Sequence, residues 1–265
     1  MKIVILGSNG MLGSMLTFIA KRYNNDIIPL SRKEFDVEKD NISKLSLYIK
    51  DQCCVVNCIG AIPQKQYSDN DYKKLNTEFP LKLSELCKMY SVPLIHISTN
   101  CVFSGKEPNC LETNIPDAID LYGLSKCEGE PEDCTVIRSS IIGPERNTTY
   151  GLMEWFLSKD GIVNGYTDHY WNGLTTLELS KVILNMIRKR SFINGVQHLY
   201  SYNTVSKFEL LNIISKRSNS KCNIIPIEAG IKYYTLNSNI NSPRISLEQQ
   251  ITDLFDILSE YRASN

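Results

Sequence analysis

Apolar residues along the first 140 positions fall into two alternating rhythms. KIVIL at 2–6, DIIPL at 26–30, CCVVNCIG at 53–60, VPLIHIS at 92–98 and CTVIRSS at 134–140 are short, β-branched and nearly unbroken by polar residues. Such runs read as strands covered on both faces. Between them, MLGSMLTFIAKRY at 11–23, NISKLSLYIK at 41–50, DYKKLNTEFPLKLSELCKMY at 71–90 and LYGLSKCEGE at 121–130 space their apolar residues as helices do. Pro80 predicts a kink or restart in the third of these. Strand and helix in alternation predict an α/β fold, a doubly wound Rossmann sheet of parallel strands.

After residue 145 or so the rhythm turns irregular. GLMEWFLSK at 151–159 and TLELSKVILNMIRKR at 176–190 read as amphipathic helices, VQHLYSY at 196–202 as a strand, and SKFELLNIISKR at 206–217 as a last helix before a polar tail. The pattern predicts a dinucleotide-binding Rossmann domain over 1–148 and a smaller C-terminal α/β lobe over 149–265, with part of 174–202 returning to the Rossmann sheet. The lobe would lie over the carboxyl edge of the sheet, where open α/β sheets bind ligands.

Composition narrows the partners. Among 265 residues, 29 basic and 29 acidic side chains cancel, so neither a nucleic acid nor an anionic membrane surface is an expected partner. The opening apolar run stops at Gly7, short of a signal-peptide core, and no stretch reaches the length of a membrane span. A cytoplasmic protein is expected. Nine cysteines with no CxxC pair argue against a disulfide framework and a zinc site.

Chemistry gathers at the strand ends. GSNGMLG spaces Gly7, Gly10 and Gly13 between the first strand and first helix, where residues without a Cβ let a pyrophosphate approach the backbone N–H groups and the positive end of the helix. At the end of the second strand, where an acidic residue would bind the ribose 2′-hydroxyl of NAD, stand Ser31, Arg32 and Lys33. A guanidinium there suits the 2′-phosphate of NADP, although a solvated charge run reads the same way. Thr99 ends the strand at 92–98, and Tyr122 and Lys126 follow on one helix face. The three could converge over a nicotinamide, with Lys126 lowering the phenol's pKa, Tyr122 protonating a carbonyl oxygen and Thr99 hydrogen-bonding it.

Together GSNGMLG, NCIGA at 57–61, Asn76 in KLNTEFP, STNCVFSGKEP, DLYGLSK and VIRSSIIGPE at 136–145 make the chain resemble the extended short-chain dehydrogenases/reductases, most of all the dTDP-4-dehydrorhamnose reductase group. The likeness is dense over 1–145 and continues afterwards only in WNGLTTLELS at 171–180. It implies catalysis by Thr99, Tyr122 and Lys126. It also implies NADP(H) held by Gly7, Asn9, Gly10, Met11, Leu12 and Gly13, by Ser31, Arg32, Asp36 and Val37, by Ile59, Gly60, Ala61 and Asn76, and by Tyr122 and Lys126. The second lobe would bind a nucleotide-linked sugar, UDP- or dTDP-linked, of the 4-keto-6-deoxyhexose class, and a homodimer stays open.

Departures from related enzymes matter. Nucleotide-sugar 4,6-dehydratases carry an acidic pair after the catalytic threonine, and here Asn100 and Cys101 stand there, which argues against dehydration. Similar enzymes that epimerise before reducing have a cysteine at the Cys101 position, so Cys101 is a candidate acid/base as well as a packing residue. Inversion needs a second group, and Tyr150, Lys159 or His169 could supply it. Asn100, Cys101, Tyr150, Trp155, His169, Trp171 and Asn172 are the candidate substrate residues, and His96 reads as a hydrogen-bonded core residue. No acidic set for magnesium is recognisable, so no metal is expected. Two rivals remain, an NAD-retaining epimerase and a noncatalytic dinucleotide-binding regulatory subunit.

Overall fold

The apolar runs do become strands whose side chains alternate between two cores. A computed structural model describes residues 1–50, 53–65, 67–146 and 148–264. In its first part, β1 (Lys2–Leu6), α1 (Met11–Arg22), β2 (Ile27–Leu30), β3 (Cys53–Asn57), α2 (Asp69–Tyr72), α3 (Phe79–Met89), β4 (Leu94–Ile97), α4 (Leu121–Glu128) and β5 (Thr135–Arg138) follow in order. The second part holds β6 (Ile141–Ile142), α5 (Leu152–Leu157), β7 (Ile162–Tyr166), β8 (His169–Trp171), β9 (Leu174–Thr175), α6 (Thr176–Lys189) and β10 (Gly195–His198). It ends with β11 (Val205–Ser206), α7 (Lys207–Ser218), β12 (Asn223–Ile227), β13 (Lys232–Tyr234) and α8 (Leu247–Ala263).

Among the described residues the main sheet has six parallel strands in the order β2-β1-β3-β4-β5-β10. Ile3, Ile5, Cys54, Val56, Ile95 and Ile137 join the core under α1, α6 and α8, while Val4, Leu6, Cys53, Val55, Leu94 and Val136 join the core under α3. Burial on both faces is why these runs lack polar alternation. The chain leaves β1 toward β2 on one side and reaches β3 on the other, so a crevice opens at the carboxyl ends of β1 and β3. This is a Rossmann-like α/β fold. The remaining strands form small sheets, β11-β8-β13, β12-β7 and β6-β9.

Three segments differ from expectation. NISKLSLYIK forms a short 3₁₀ turn over Ile42–Leu47 in place of an α-helix. The segment around Pro80 neither breaks nor restarts: residues 69–89 run on as one helix that widens to π geometry over Lys73–Glu78. A proline at the start of α3 has no N–H to donate, which suits the change of pitch. Most of all, the polar tail contains strands and the 17-residue α8. Its apolar residues Leu247, Ile251, Leu254, Leu258 and Tyr261 recur at helical spacing and are buried. The Tyr261 hydroxyl meets the Ser14 hydroxyl at 2.7 Å, and its ring lies edge-on to Phe18 at 5.5 Å, which locks α8 to α1. No helix among the described residues is long and apolar enough to cross a membrane.

Candidate active site

The turn after β1 is shaped by its glycines. Gly7 has φ +74°, and a Cβ on Gly13 would stand 2.2 Å from the Gly7 carbonyl oxygen, so the first turn of α1 lies directly on the loop. Gly10 caps α1 with no side-chain hydrogen bond, and no acidic residue stands in its first turn. The N–H groups of Met11 and Leu12 therefore face the crevice end with the helix dipole behind them, a setting for an anion. Asn9 accepts a hydrogen bond from Arg146 Nη1 at 2.8 Å.

Across the crevice, the strand end after β3 is held by side-chain amides. Asn57 Oδ1 accepts the Ile59 N–H at 3.1 Å, which leaves Asn57 Nδ2 to donate to His96 Nδ1 at 3.0 Å. His96 is fully buried, and burial keeps it neutral. Asn76, turned inward by the π turn, accepts from the Ala61 N–H at 2.8 Å and donates to the Ala61 carbonyl and the Ser125 hydroxyl, each at 3.1 Å. Its amide thus ties the loop at Gly60 and Ala61 to α4. At the end of β2, Ser31 is engaged by Glu34 through both its N–H and its hydroxyl, while Arg32 extends into solvent, 3.7 Å from Glu38. Asp36 is buried and accepts from the Glu38 N–H at 3.0 Å, and Val37 packs against Ala61, Tyr72 and Leu75.

Thr99, Tyr122 and Lys126 meet at the carboxyl end of β4. Thr99 Oγ1 accepts the Cys101 N–H at 3.1 Å, and the Tyr122 phenol stands close enough for the Thr99 hydroxyl to act against the effect of burial on it. Lys126 is buried and donates from Nζ to the Ile97 carbonyl at 2.7 Å. A Cβ on Gly60 would lie 4.0 Å from that same nitrogen, so the ammonium looks onto the crevice. Burial lowers the Lys126 pKa to about 8, and Glu130 acts against the fall. Glu130 is locked in turn by Arg138 at 2.8 and 2.6 Å and by Ser98 Oγ at 2.5 Å. The phenol behaves otherwise than expected. Burial, then Cys101, pushes Tyr122 above the ordinary tyrosine range.

The expected substrate residues separate into two groups. Asn100 and Cys101 lie beside Thr99: Asn100 Oδ1 is 3.4 Å from Thr99 Oγ1 and 3.7 Å from Cys101 Sγ, and burial raises the Cys101 thiol. His169 lies tilted against Tyr166 with ring centroids 4.6 Å apart and meets Tyr234 edge-on at 6.0 Å. Asn172, expected at a sugar, is instead buried with its amide consumed by the Leu236 carbonyl at 2.8 Å and N–H at 3.0 Å, a tie between lobe segments. The Trp171 ring is buried and held by Ser140 Oγ at 2.7 Å from Nε1. Trp155 packs at the core's margin with Lys159 Nζ 5.6 Å from its ring, and Tyr150 is exposed with Lys65 Nζ 6.0 Å from its ring.

Sequence reading missed Lys207, Tyr234 and Asp120. The Lys207 ammonium lies over the Trp171 and Tyr234 rings. Asp120 caps α4 through the Gly123 N–H at 2.9 Å, and its charge raises Cys101 and Tyr122. A signal existed for Lys207, a cation in the first turn of a helix, against the helix dipole.

Residues 1–246 match the RmlD substrate binding domain family. The dTDP-4-keto-6-deoxy-D-glucose reductase of Streptomyces niveus is 23% identical over 220 residues, 78% of this chain and 75% of its own. A dTDP-4-dehydrorhamnose reductase from Bacillus anthracis in complex with NADP superposes with TM-score 0.83 at 21% identity, over 96% of this chain and 98% of the other. The UDP-glucuronic acid 4-epimerase of Bacillus cereus in complex with NAD superposes at 0.71, with 17% identity over 98% and 99%.

The position of Tyr122 depends on Gly123. A Cβ there would stand 2.3 Å from the Cys101 carbonyl oxygen and 2.6 Å from Ala118 Cβ. Gly123→Ala is expected to lower the unfolding free energy by about 1–3 kcal/mol, as overpacking does, measured by urea denaturation. Unchanged stability would mean that α4 does not rest on the turn after Thr99.

Proposed function

The chain belongs to the RmlD substrate-binding family, and on that footing we propose that it is an NADPH-dependent reductase of a nucleotide-linked 4-keto-6-deoxyhexose. The observation that carries this reading is Tyr122 set beside the turn after Thr99, where Gly123 rests on the Cys101 carbonyl, with the Lys126 ammonium buried on the same helix at the crevice. Residues 1–148 would hold the cofactor and most of 149–265 the substrate.

The chain's own groups fit a dinucleotide. The uncapped first turn of α1 suits the pyrophosphate, and the loop at Ile59, Gly60 and Ala61 suits the nucleoside beside it. Arg32, with its side chain 61% exposed, and Lys33 suit a 2′-phosphate. When bound, NADPH supplies the hydride. Tyr122 then gives its proton to the keto oxygen; a phenol held protonated by burial yields it only to a strongly basic acceptor, the developing alkoxide. Thr99 hydrogen-bonds the same oxygen. Lys126 keeps its remaining N–H groups for the ribose hydroxyls and places positive charge beside the reaction. The names of the Streptomyces niveus relative and the Bacillus anthracis structure support a 4-keto sugar nucleotide and NADP. An acetamido sugar linked to UDP and a rhamnose-type sugar linked to dTDP both suit the site.

Cys101 favours a second step on the same sugar. Polarised by Thr99 and Tyr122, the ketone acidifies the protons on C3 and C5, and a thiol two residues past Thr99 suits their exchange. NAD-retaining epimerases share the fold, yet the exposed arginine at the end of β2 speaks for a cofactor that carries a 2′-phosphate and exchanges with solution.

Offered UDP- and dTDP-linked 4-keto-6-deoxyhexoses with NADPH, the protein is expected to oxidise NADPH in step with product seen by NMR; no oxidation with any of them would refute the reading. Tyr122→Phe should lower turnover about 10²–10⁴-fold with NADPH affinity kept, and near-normal turnover would remove Tyr122 as the acid. Arg32→Ala should weaken NADPH and leave NADH unchanged, by fluorescence titration; equal affinities in the unmodified protein would end the 2′-phosphate assignment. Incubated in D₂O with oxidised cofactor, the 4-keto sugar should gain deuterium at C3 or C5, and Cys101→Ser should suppress the uptake. Absence of uptake in the unmodified protein would leave a reductase alone.

A further inference from the structure

One side chain on the substrate wall takes no part in the chemistry above. Lys207 is the first residue of α7, between Ser206 and Glu209, whose reciprocal hydrogen bonds close the helix start without it. A cation there opposes the helix dipole. Burial disfavours it further, lowering its pKa to about 8. Among the described residues its ammonium has no ion-pair or hydrogen-bond partner, only two aromatic faces, Trp171 at 5.1 Å and Tyr234 at 5.9 Å.

The small sheet builds that setting. Trp171 on β8 has Val205 of β11 and Tyr234 of β13 as its neighbours in register. Lys207 follows β11 and so comes back over both rings. Cation–π contact offsets part of the burial and dipole costs and leaves the N–H groups without acceptors. The ammonium lies at the carboxyl end of the main sheet: the Trp171 ring beneath it donates to Ser140 Oγ at 2.7 Å, and the Ser139 carbonyl beside that serine accepts the N–H of Asn100, between Thr99 and Cys101, at 3.2 Å.

We propose that Lys207 is the sugar-reading residue of the second lobe: its ammonium donates a hydrogen bond to an oxygen borne by the hexose on a carbon near the reacting one, with Trp171 and Tyr234 fixing it from two sides. The proposal rests on the nucleotide-sugar reading above. Neighbourhood to Cys101 favours the sugar ring over the diphosphate as the acceptor's source. A ring hydroxyl and an acylamino oxygen share this chemistry.

Lys207→Met and Lys207→Arg test it, assayed with NADPH on 4-keto-6-deoxyhexose nucleotides that carry a C2 hydroxyl, a C2 acetamido group, or no oxygen at C3. Lys207→Met should fold at least as stably as the unmodified protein, because it removes a desolvated charge, and should bind NADPH within about twofold. Its kcat/KM should fall about 10–100-fold, the worth of a charged hydrogen bond, and Lys207→Arg should recover part of that. The penalty should vanish on the analogue that lacks the contacted oxygen, which separates C3 hydroxyl from C2 acyl oxygen. Unchanged kcat/KM in Lys207→Met overturns the proposal, as does an equal penalty on every sugar, which would place the contact on the diphosphate. Calorimetric binding of the reduced sugar nucleotides keeps the two readings apart. If the unmodified protein reduces none of the substrates, the reductase reading fails, while a loss of sugar-nucleotide affinity in Lys207→Met still supports Lys207 and an unchanged affinity overturns it.

Discussion

The close seating of α4 on the end of β4 is the contact on which the site depends. Gly123 brings the helix backbone onto the Cys101 carbonyl, and Gly129, at the helix end, brings it onto the Asn76 carbonyl, where a Cβ would stand 1.8 Å away. Wedged between these two backbones, α4 has little freedom to shift or rotate. Tyr122 is thereby set beside the turn after Thr99, and one turn later Lys126 reaches the Ile97 carbonyl. The π turn over Lys73–Glu78 completes the seat, because it aims Asn76 at both Ala61 and Ser125. A glycine between a tyrosine and a lysine is therefore a packing requirement that the chemistry inherits.

Two lysines, Lys126 buried and Lys207 half-buried, flank the site in different electrostatic surroundings. Lys126 has a carbonyl partner and stands near the Glu130–Arg138 pair, whose side chains are only 7% and 5% exposed and which would cost several kcal/mol to leave half-made. Lys207 has aromatic faces and no anion. The first arrangement gives the ammonium a carbonyl acceptor within the fold. The second leaves a cation incompletely satisfied, as suits a group completed by a ligand.

What the sequence disclosed is what short-range geometry decides. The continuous apolar strands, the glycine turn after β1, and the tyrosine and lysine on one face of α4 each follow from neighbours within a few positions, and they are where expected. Failures of reading arose from distant partners. Asn172 sits among aromatic and polar residues like a sugar ligand, yet its amide pairs with Leu236, 64 positions away. Residues after 217 looked polar because the buried stripe of α8 is narrow, and its worth lies in contact with Ser14 and Phe18. Lys207 was hidden in an ordinary capping sequence, and only the rings brought over it by β8 and β13 distinguish it. The lowered phenol expected from Lys126 is overturned by burial of the ring, which the sequence around it does not disclose.

The union of Tyr122, Thr99 and Lys126 at a dinucleotide crevice is most directly tested by following the transferred hydrogen. NADPH deuterated at the transferable position should be incubated with UDP- and dTDP-linked 4-keto-6-deoxyhexoses and the unmodified protein, and the sugar product examined by NMR. Deuterium bound at C4 of the new hydroxyl carbon, in amount equal to NADP⁺ released, is the expected result. A sugar altered in configuration with no deuterium at C4 and no net oxidation of cofactor would contradict it and make the protein an epimerase that keeps its nucleotide.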